Sequence, residues 1–180
     1  MRVLDTDRDA IAACLRRGLQ AEVGDALQPR RAGDEELVCF NLILHHLVGR
    51  DAARTRELQA RALRAWAGRA GRVFVNEYVY EAFVEPTLSG KLIYAVTSSR
   101  ALSWLAGAVA RFVPSLRANT FGVGVRFRTG AEWEALFREA GYEVIGYRRG
   151  VDEEVSLARR LLLIRSCRRD SFVLRARPDA

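Results

Sequence analysis

The chain has 180 residues, of which 49% are hydrophobic and 28% are charged. These values fit one globular domain with a sizeable core and argue against a disordered or fibrous protein. The net charge is +7, and Lys91 is the only lysine among the 29 basic residues. Because the arginines are spread along the chain as doublets and form no dense block, a nucleic-acid partner is not expected.

The cysteines and the longest apolar stretch indicate where in the cell the protein is expected. Cys14, Cys39 and Cys167 have no metal-binding or redox spacing, so no metal site is predicted. An odd number of cysteines without a signal peptide favours the cytoplasm. Cys39 lies in an apolar run and is expected to be buried. The stretch 101–113 contains Arg111 and is too short to span a bilayer, so no membrane partner is expected.

The first 25 residues predict two short strands joined by a helix. Arg2–Leu4 and Leu19–Val23 are the apolar segments that indicate strands. Thr6 or Asp7 is expected to cap the helix between them, and Gly18 is expected to end it.

The segment Leu37–Leu44 is the strongest strand pattern in the chain. It is almost continuously apolar, which predicts a strand buried on both faces of a parallel sheet. His45 and His46, the only histidines, follow at its carboxyl end. A helix and a further strand, which runs into Asn76 and Glu77, are predicted next, over Asp51–Trp66 and Arg72–Val75.

The second half of the chain alternates helices and strands. Residues 86–121 have the apolar spacing of one or two amphipathic helices and are interpreted as an insertion over one end of the sheet. Thr129 and Glu132 form a capping box that begins a helix ending at Gly141. The remaining predicted elements are a strand, a weakly favoured helix and a last strand, over Tyr142–Tyr147, Val155–Cys167 and Ser171–Arg175. The alternation indicates a single α/β domain over 1–180 with a doubly wound, mostly parallel sheet.

Four motifs are weak individually but fairly specific in their order and spacing. They are Val3-Leu4-Asp5-Thr6-Asp7 before Ala10-Ile11-Ala12-Ala13, then Glu22-Val23-Gly24-Asp25-Ala26, then Phe40-Asn41-Leu42-Ile43-Leu44-His45-His46-Leu47, and finally Phe127-Arg128-Thr129 through Gly141-Tyr142. Together they resemble the class I S-adenosylmethionine-dependent methyltransferases, of the type that modifies small molecules. The resemblance covers about residues 1–150 and implies a Rossmann-like fold with S-adenosylmethionine as cofactor.

The resemblance also implies which residues bind the cofactor. Asp5, with Thr6 beside it, would bind the ribose hydroxyls. Asp25 would bind the adenine amino group, with Ala26 beside the ring, and Asn41 would line the methionine part. The residues themselves leave alternatives open: Asp5 as a helix N-cap, Asp25 as a turn residue, and an Asn41 amide bonded to a neighbouring backbone group.

His45 and His46 are the candidate catalytic residues. A histidine at this edge could act as a general base that deprotonates an acceptor hydroxyl during methyl transfer. Some small-molecule O-methyltransferases carry a histidine here, usually followed by Asp, whereas this chain has His46. The alternative is a structural histidine that orients the loop. Glu77 could face the acceptor cavity or be a solvated strand end. The apolar segment 88–112 suggests an apolar or aromatic acceptor, and a helix that packs against the core is the alternative.

One departure from the family matters for function. In such folds a glycine-rich cofactor loop precedes the acidic ribose residue by about 20 residues. Since Asp5 is the fifth residue, that loop and the first strand before it cannot lie in this chain. In the family this first strand lies between the second and fourth strands, so residues 1–25 lose their usual neighbour.

Three explanations follow from this departure. We expect an N-terminally truncated methyltransferase; the others are a degenerate relative and a strand supplied by another chain. The expected function is cytoplasmic methyl transfer to a small organic acceptor, with the cofactor bound weakly or not at all. The alternative function is a non-catalytic α/β module that binds a partner protein or a second copy at the exposed sheet edge.

Overall fold

The computed structural model describes residues 1–29, 35–112 and 124–178, in which the strands form two separate sheets. The smaller sheet pairs β1 (Arg2–Asp5) with β2 (Gln20–Val23) in parallel. The larger sheet has the order β3-β4-β6-β5. Its strands are β3 (Leu37–Asn41), β4 (Arg72–Ala82), β5 (Tyr142–Arg148) and β6 (Ile164–Ala176). In this sheet β3, β4 and β5 run in one direction and β6 runs in the opposite one.

The described helices connect these strands. They are α1 (Arg8–Arg16), α2 (Ala52–Arg64), α3 (Leu88–Ser98), α4 (Arg100–Phe112), α5 (Gly130–Glu139), the short α6 (Leu157–Arg160) and a 3-10 turn (Leu44–His46). None of the helices in the described ranges is long and apolar enough to cross a membrane. Strands alternating with helices confirm the predicted α/β fold class.

Within the described ranges the two sheets are separate, and β1 and β3 are not hydrogen-bonded to each other. An ion pair links β1 to the residues just before β3, because the Arg2 guanidinium lies 3.1 Å from a carboxylate oxygen of Glu35.

The main hydrophobic core lies between the larger sheet, α2 and α5. Its fully buried members come from both layers and include Leu63, Val75, Trp133, Phe137 and Phe172. Polar atoms of large side chains are satisfied inside it: Trp133 donates its indole N–H to the Tyr78 carbonyl, and Tyr142 donates its hydroxyl to the Leu63 carbonyl. In contrast, α1 buries only Ile11.

Local helix signals are confirmed. Asp7 caps α1, since its carboxylate accepts hydrogen bonds from the backbone N–H groups of Asp9 and Ala10. The capping box of Thr129 and Glu132 begins α5, with both reciprocal hydrogen bonds present.

The prediction for the strand at 37–44 is wrong in length and burial. β3 ends at Asn41, because Leu42 adopts a positive φ of 56° and the chain turns into the 3-10 helix. Phe40 is buried, but Leu37 is 55% exposed, and Cys39 is exposed instead of buried as predicted. Alternate residues of a strand face opposite sides of a sheet, and only the side of Phe40 is covered by the core.

The helix favoured over Val155–Cys167 is also mostly wrong. Helix α6 has four residues, and β6 already begins at Ile164. The strand is set by long-range pairing, because β6 lies antiparallel between β4 and β5. Such tertiary pairing overrides a local pattern that is ambiguous between helix and strand. The segment 86–121 contains α3 and α4, and its residues 113–121 lie outside the described ranges.

Candidate active site

The two histidines lie in a 3-10 turn just beyond the carboxyl end of β3. His45 is buried, and its Nδ1 lies 2.6 Å from the Oε2 of Glu77, which is also fully buried. Glu77 belongs to β4, one residue past the point where Asn41 pairs with Asn76. The parallel register of β3 and β4 therefore brings the carboxylate to the imidazole. Open α/β sheets bind their ligands at this edge.

The turn that carries His45 is fixed by hydrogen bonds from three directions. The Leu44 backbone N–H donates to Glu77 Oε1 at 2.6 Å, and Gln59 donates its side-chain amide to the Leu44 carbonyl at 2.9 Å. The Arg126 backbone N–H donates to the His45 carbonyl at 2.9 Å. Glu77 thus binds both a backbone group and the imidazole, which holds His45 in one orientation.

A buried arginine extends this network. Arg128 donates from Nε and from a terminal nitrogen to the side-chain oxygen Oε1 of Gln59, at 2.9 and 2.6 Å. Burial, together with neighbouring Arg126, lowers the pKa of Arg128 to about 10. Glu132 balances this charge, since it forms ion pairs with both arginines, and Arg128 also lies over the Trp133 ring.

Aromatic rings surround the buried histidine. Its ring stacks on Phe127 at 5.0 Å between centroids, and Phe127 stacks on Tyr80 at 4.3 Å. Tyr78 meets the rings of His45 and Phe127 edge-on, at 5.9 and 5.8 Å. The wall beside the imidazole is therefore aromatic.

His46 is exposed, and its ring centroid lies 4.1 Å from that of His45. Partial burial and the neighbouring His45 lower the pKa of His46 below its usual value, against a smaller opposite effect of Glu77. His46 is therefore mostly neutral at neutral pH, a state in which a ring nitrogen can accept a proton.

The two predicted acidic residues lie together at the end of the smaller sheet. Asp5 ends β1, and its backbone carbonyl accepts a hydrogen bond from the Gly24 N–H, next to Asp25. Asp5 Oδ1 accepts from the Asp7 backbone N–H at 2.8 Å, so Asp5 shapes the turn while Asp7 is the cap. Asp25 is exposed, and its Oδ1 accepts from the Leu27 N–H at 2.8 Å, which is a turn contact.

The remaining predicted cofactor residues are placed as follows. Thr6 is exposed between β1 and α1, and Ala26 is half-buried against the main core. Asn41 is exposed at the end of β3, where its Oδ1 accepts a hydrogen bond from the Asn76 side chain at 2.7 Å. Its partner is thus a side chain and not the backbone. In the described ranges no hydrogen bond joins these residues to the histidines, and no cluster of side chains is arranged for a metal ion.

Glu77 is a side chain whose place the sequence left open. It is not a solvated strand end, because it is fully buried against His45 and Leu44. A signal was available, since Glu77 follows the predicted strand Arg72–Val75 as His45 follows the predicted strand Leu37–Leu44, and aligning the ends of these two parallel strands places the two side chains next to each other.

Comparison with known proteins identifies the fold. The sequence matches no protein-family model and no curated protein. A S-adenosylmethionine-dependent methyltransferase from Methanosarcina mazei aligns over 98% of this chain and 81% of its own, at 8% identity and a TM-score of 0.57. Mitomycin 7-O-methyltransferase MmcR aligns over 97% of this chain and 41% of its own, at 14% identity and a TM-score of 0.52.

An O-methyltransferase from neocarzinostatin biosynthesis was solved with S-adenosyl-L-homocysteine and 1,4-dihydroxy-2-naphthoic acid. It aligns over 97% of this chain and 41% of its own, at 19% identity and a TM-score of 0.53. The chain thus spans about two-fifths of the length of both O-methyltransferases. It has the Rossmann-like fold of these S-adenosylmethionine-dependent methyltransferases.

Proposed function

We propose that this chain is the acceptor-side part of a S-adenosylmethionine-dependent methyltransferase acting on a small organic molecule, with His45 as general base. The observation that carries the proposal is the buried contact between His45 Nδ1 and Glu77 Oε2, 2.6 Å long, at the carboxyl edge of the sheet. A buried carboxylate that binds one imidazole nitrogen fixes the tautomer and leaves the other nitrogen to accept a proton.

The chemistry divides between the chain and its cofactor. When bound, S-adenosylmethionine supplies an electrophilic methyl group on a sulfonium. His45 Nε2 takes the proton of an acceptor hydroxyl, and the carboxylate of Glu77 stabilises the resulting imidazolium. General-base catalysis of this kind contributes about 10²–10⁴-fold in rate, and holding the acceptor in line contributes further. His46, exposed beside His45, is the second candidate base.

The residues of the smaller sheet fit the nucleoside side of this cofactor. Asp5 and Asp25 lie at the carboxyl ends of adjacent parallel strands, where two carboxylates can accept hydrogen bonds from ribose hydroxyls and an adenine amino group. Each uses Oδ1 in a local turn. Thr6 and Ala26 flank these two acids, and Asn41 is assigned to the methionine part.

The fit is incomplete, because the two acids lie on a two-stranded sheet and each already uses one oxygen in a local turn. We therefore propose that the chain by itself binds the cofactor weakly and transfers methyl groups slowly. A cytoplasmic location is part of the proposal, and its support is that Cys14, Cys39 and Cys167 are free thiols.

The proposed acceptor is aromatic or apolar. Tyr78, Tyr80 and Phe127 form an aromatic wall beside the His45 ring, and side chains of this kind favour contact with aromatic or apolar molecules. The naphthoic acid bound by the neocarzinostatin O-methyltransferase is a molecule of this class.

The test is methyl transfer from labelled S-adenosylmethionine to a panel of phenols and hydroxynaphthoates. We expect measurable transfer that falls about 10²-fold or more in His45→Asn and in Glu77→Gln. Glu81→Gln is the matched control, since Glu81 lies on the same strand but forms ion pairs with Arg165 and Arg168. Equal transfer in Glu77→Gln and wild type would refute the base assignment, and a loss confined to His46→Asn would transfer the role to His46.

The alternative is a non-catalytic module that binds a partner protein or a second copy. The divided sheet favours it, because the edges of β1 and β3 that face the separation are unpaired among the described strands. A stable homodimer that protects these edges from hydrogen exchange, combined with no cofactor binding, would support this alternative over methyl transfer.

A further inference from the structure

Helix α4 has the opposite orientation from an ordinary surface helix. Ser103 is 6% exposed, and its hydroxyl lies 2.8 and 3.0 Å from the carbonyl oxygens of Val96 and Thr97 in α3. Trp104 is 77% exposed and Leu105 is 55% exposed. Surface helices usually turn their apolar stripe toward the core. In the first turns of α4 the polar Ser103 faces the protein, whereas Trp104 and Leu105 face outward.

These outward side chains form one surface, which we call the α4 surface. It consists of four exposed residues that lie on the side of the helix opposite Ser103 or next to that side: Ala101, Leu102, Trp104 and Leu105. Contiguous apolar surface of this kind marks a site of contact with a protein or a membrane.

The charge of this region distinguishes between a protein and a membrane as the binding partner. From Pro86 to Ala131 the sequence contains no aspartate or glutamate. Arg100 and Arg111 lie near the two ends of α4, and both are exposed. At 100° per residue they lie on the same flank of the helix as Trp104. Two copies packed through the α4 surface would bring these like charges close to one another.

We propose that the α4 surface binds to the surface of anionic phospholipid bilayers, without crossing them. An apolar face with tryptophan and leucine, flanked by arginines, is typical of helices that lie in the membrane interface. Arginines near an anionic leaflet add electrostatic attraction that salt weakens. No membrane partner was expected from the sequence, because only segments that cross a bilayer were considered. Binding at the bilayer surface replaces that expectation. It is independent of methyl transfer.

The protein carries its own probe for this contact. Of its three tryptophans, Trp66 is 8% exposed and Trp133 is fully buried, so Trp104 is the one that reports on the surface. The full chain is mixed with vesicles of phosphatidylglycerol and phosphatidylcholine, and with vesicles of phosphatidylcholine alone. Tryptophan emission and co-sedimentation are measured at low and high salt.

We expect a blue shift and co-sedimentation with the anionic vesicles, weakened by salt. Trp104→Phe should lose the blue shift and still sediment. The double variant Trp104→Ser, Leu105→Ser should bind about tenfold or more weakly, because it removes the apolar side chains from the interface. Leu157→Ser is the control, since Leu157 is 83% exposed on α6, and it should bind like wild type. Circular dichroism checks that each variant is folded.

Three results would overturn the proposal. The first is no binding to anionic vesicles, and the second is equal binding by the double variant and wild type. The third is a dimer in solution that the double variant dissociates, which would assign the α4 surface to a second copy of the chain.

Discussion

The smaller sheet with α1 and the larger sheet with α2 and α5 differ in how much they bury. The first buries one apolar side chain, Ile11, whereas the second encloses a continuous core. Two parallel strands and one helix are too few to enclose a core of their own. The candidate base therefore lies on a rigid scaffold, and the candidate nucleoside-binding acids lie on a thin one. Half of the proposed site is preorganised and the other half depends on further contacts.

The largest expected effect is on stability. Phe172→Ala in the main core should lower the free energy of unfolding by about 3–5 kcal/mol, since Phe172 is fully buried. Ile11→Ala should hardly shift the global thermal midpoint, because the smaller sheet is expected to open locally first. Equal losses in the two variants, measured by circular dichroism, would show that both regions unfold as one cooperative unit.

The second effect tests the buried network beneath the histidines. Gln59→Leu keeps the volume but removes the acceptor of Arg128 and the donor to the Leu44 carbonyl. We expect a loss of about 1–3 kcal/mol or more in denaturant unfolding, because a charged donor is left without its partner. The exposed Gln28→Leu should change stability by about 0.5 kcal/mol or less. A neutral Gln59→Leu would mean that the network does not hold the turn.

The third effect concerns the uncovered side of β3. Cys39 is exposed, whereas Cys167 is 1% exposed and burial raises its pKa to about 11. A thiol reagent at mildly alkaline pH should therefore label Cys39 about tenfold or more faster than Cys167. Cys39→Ser should remove the fast phase. Equally slow labelling of both would show that this side of the strand is covered in solution.

The smallest effect is the pH dependence from His46, whose pKa is lowered in the folded state. Below a pH of about 6.5 the unfolded chain binds this proton more readily than the folded one. The stability contributed by neutral His46 is thus present above that pH and is lost as pH falls through the folded pKa. Proton NMR of the two histidines should show His46 titrating below the usual value. His46→Gln should make the free energy of unfolding less dependent on pH. A titration above the usual value would contradict the assigned environment.

Local signals in the sequence predicted local structure well. The Asp7 cap and the Thr129 capping box depend on neighbours within four residues, so the sequence contains all that determines them. The burial of Cys39 depends on what covers β3, which its own apolar pattern does not encode. The contact between His45 and Glu77 joins residues 32 positions apart and follows from strand register. His45 was therefore predicted as a candidate base, while its contact with Glu77 was not predicted, although aligning the two strands could have indicated it.

A titration of the 15N-labelled chain with S-adenosylhomocysteine tests whether the smaller sheet binds the cofactor. We expect weak binding, with amide shifts concentrated at Asp5, Gly24 and Asp25. Asp5→Ala should abolish these shifts, and the exposed Asp9→Asn on α1 should leave them unchanged. Shifts absent from the end of the smaller sheet, or shifts that persist in Asp5→Ala, would contradict the assignment of these residues to the cofactor.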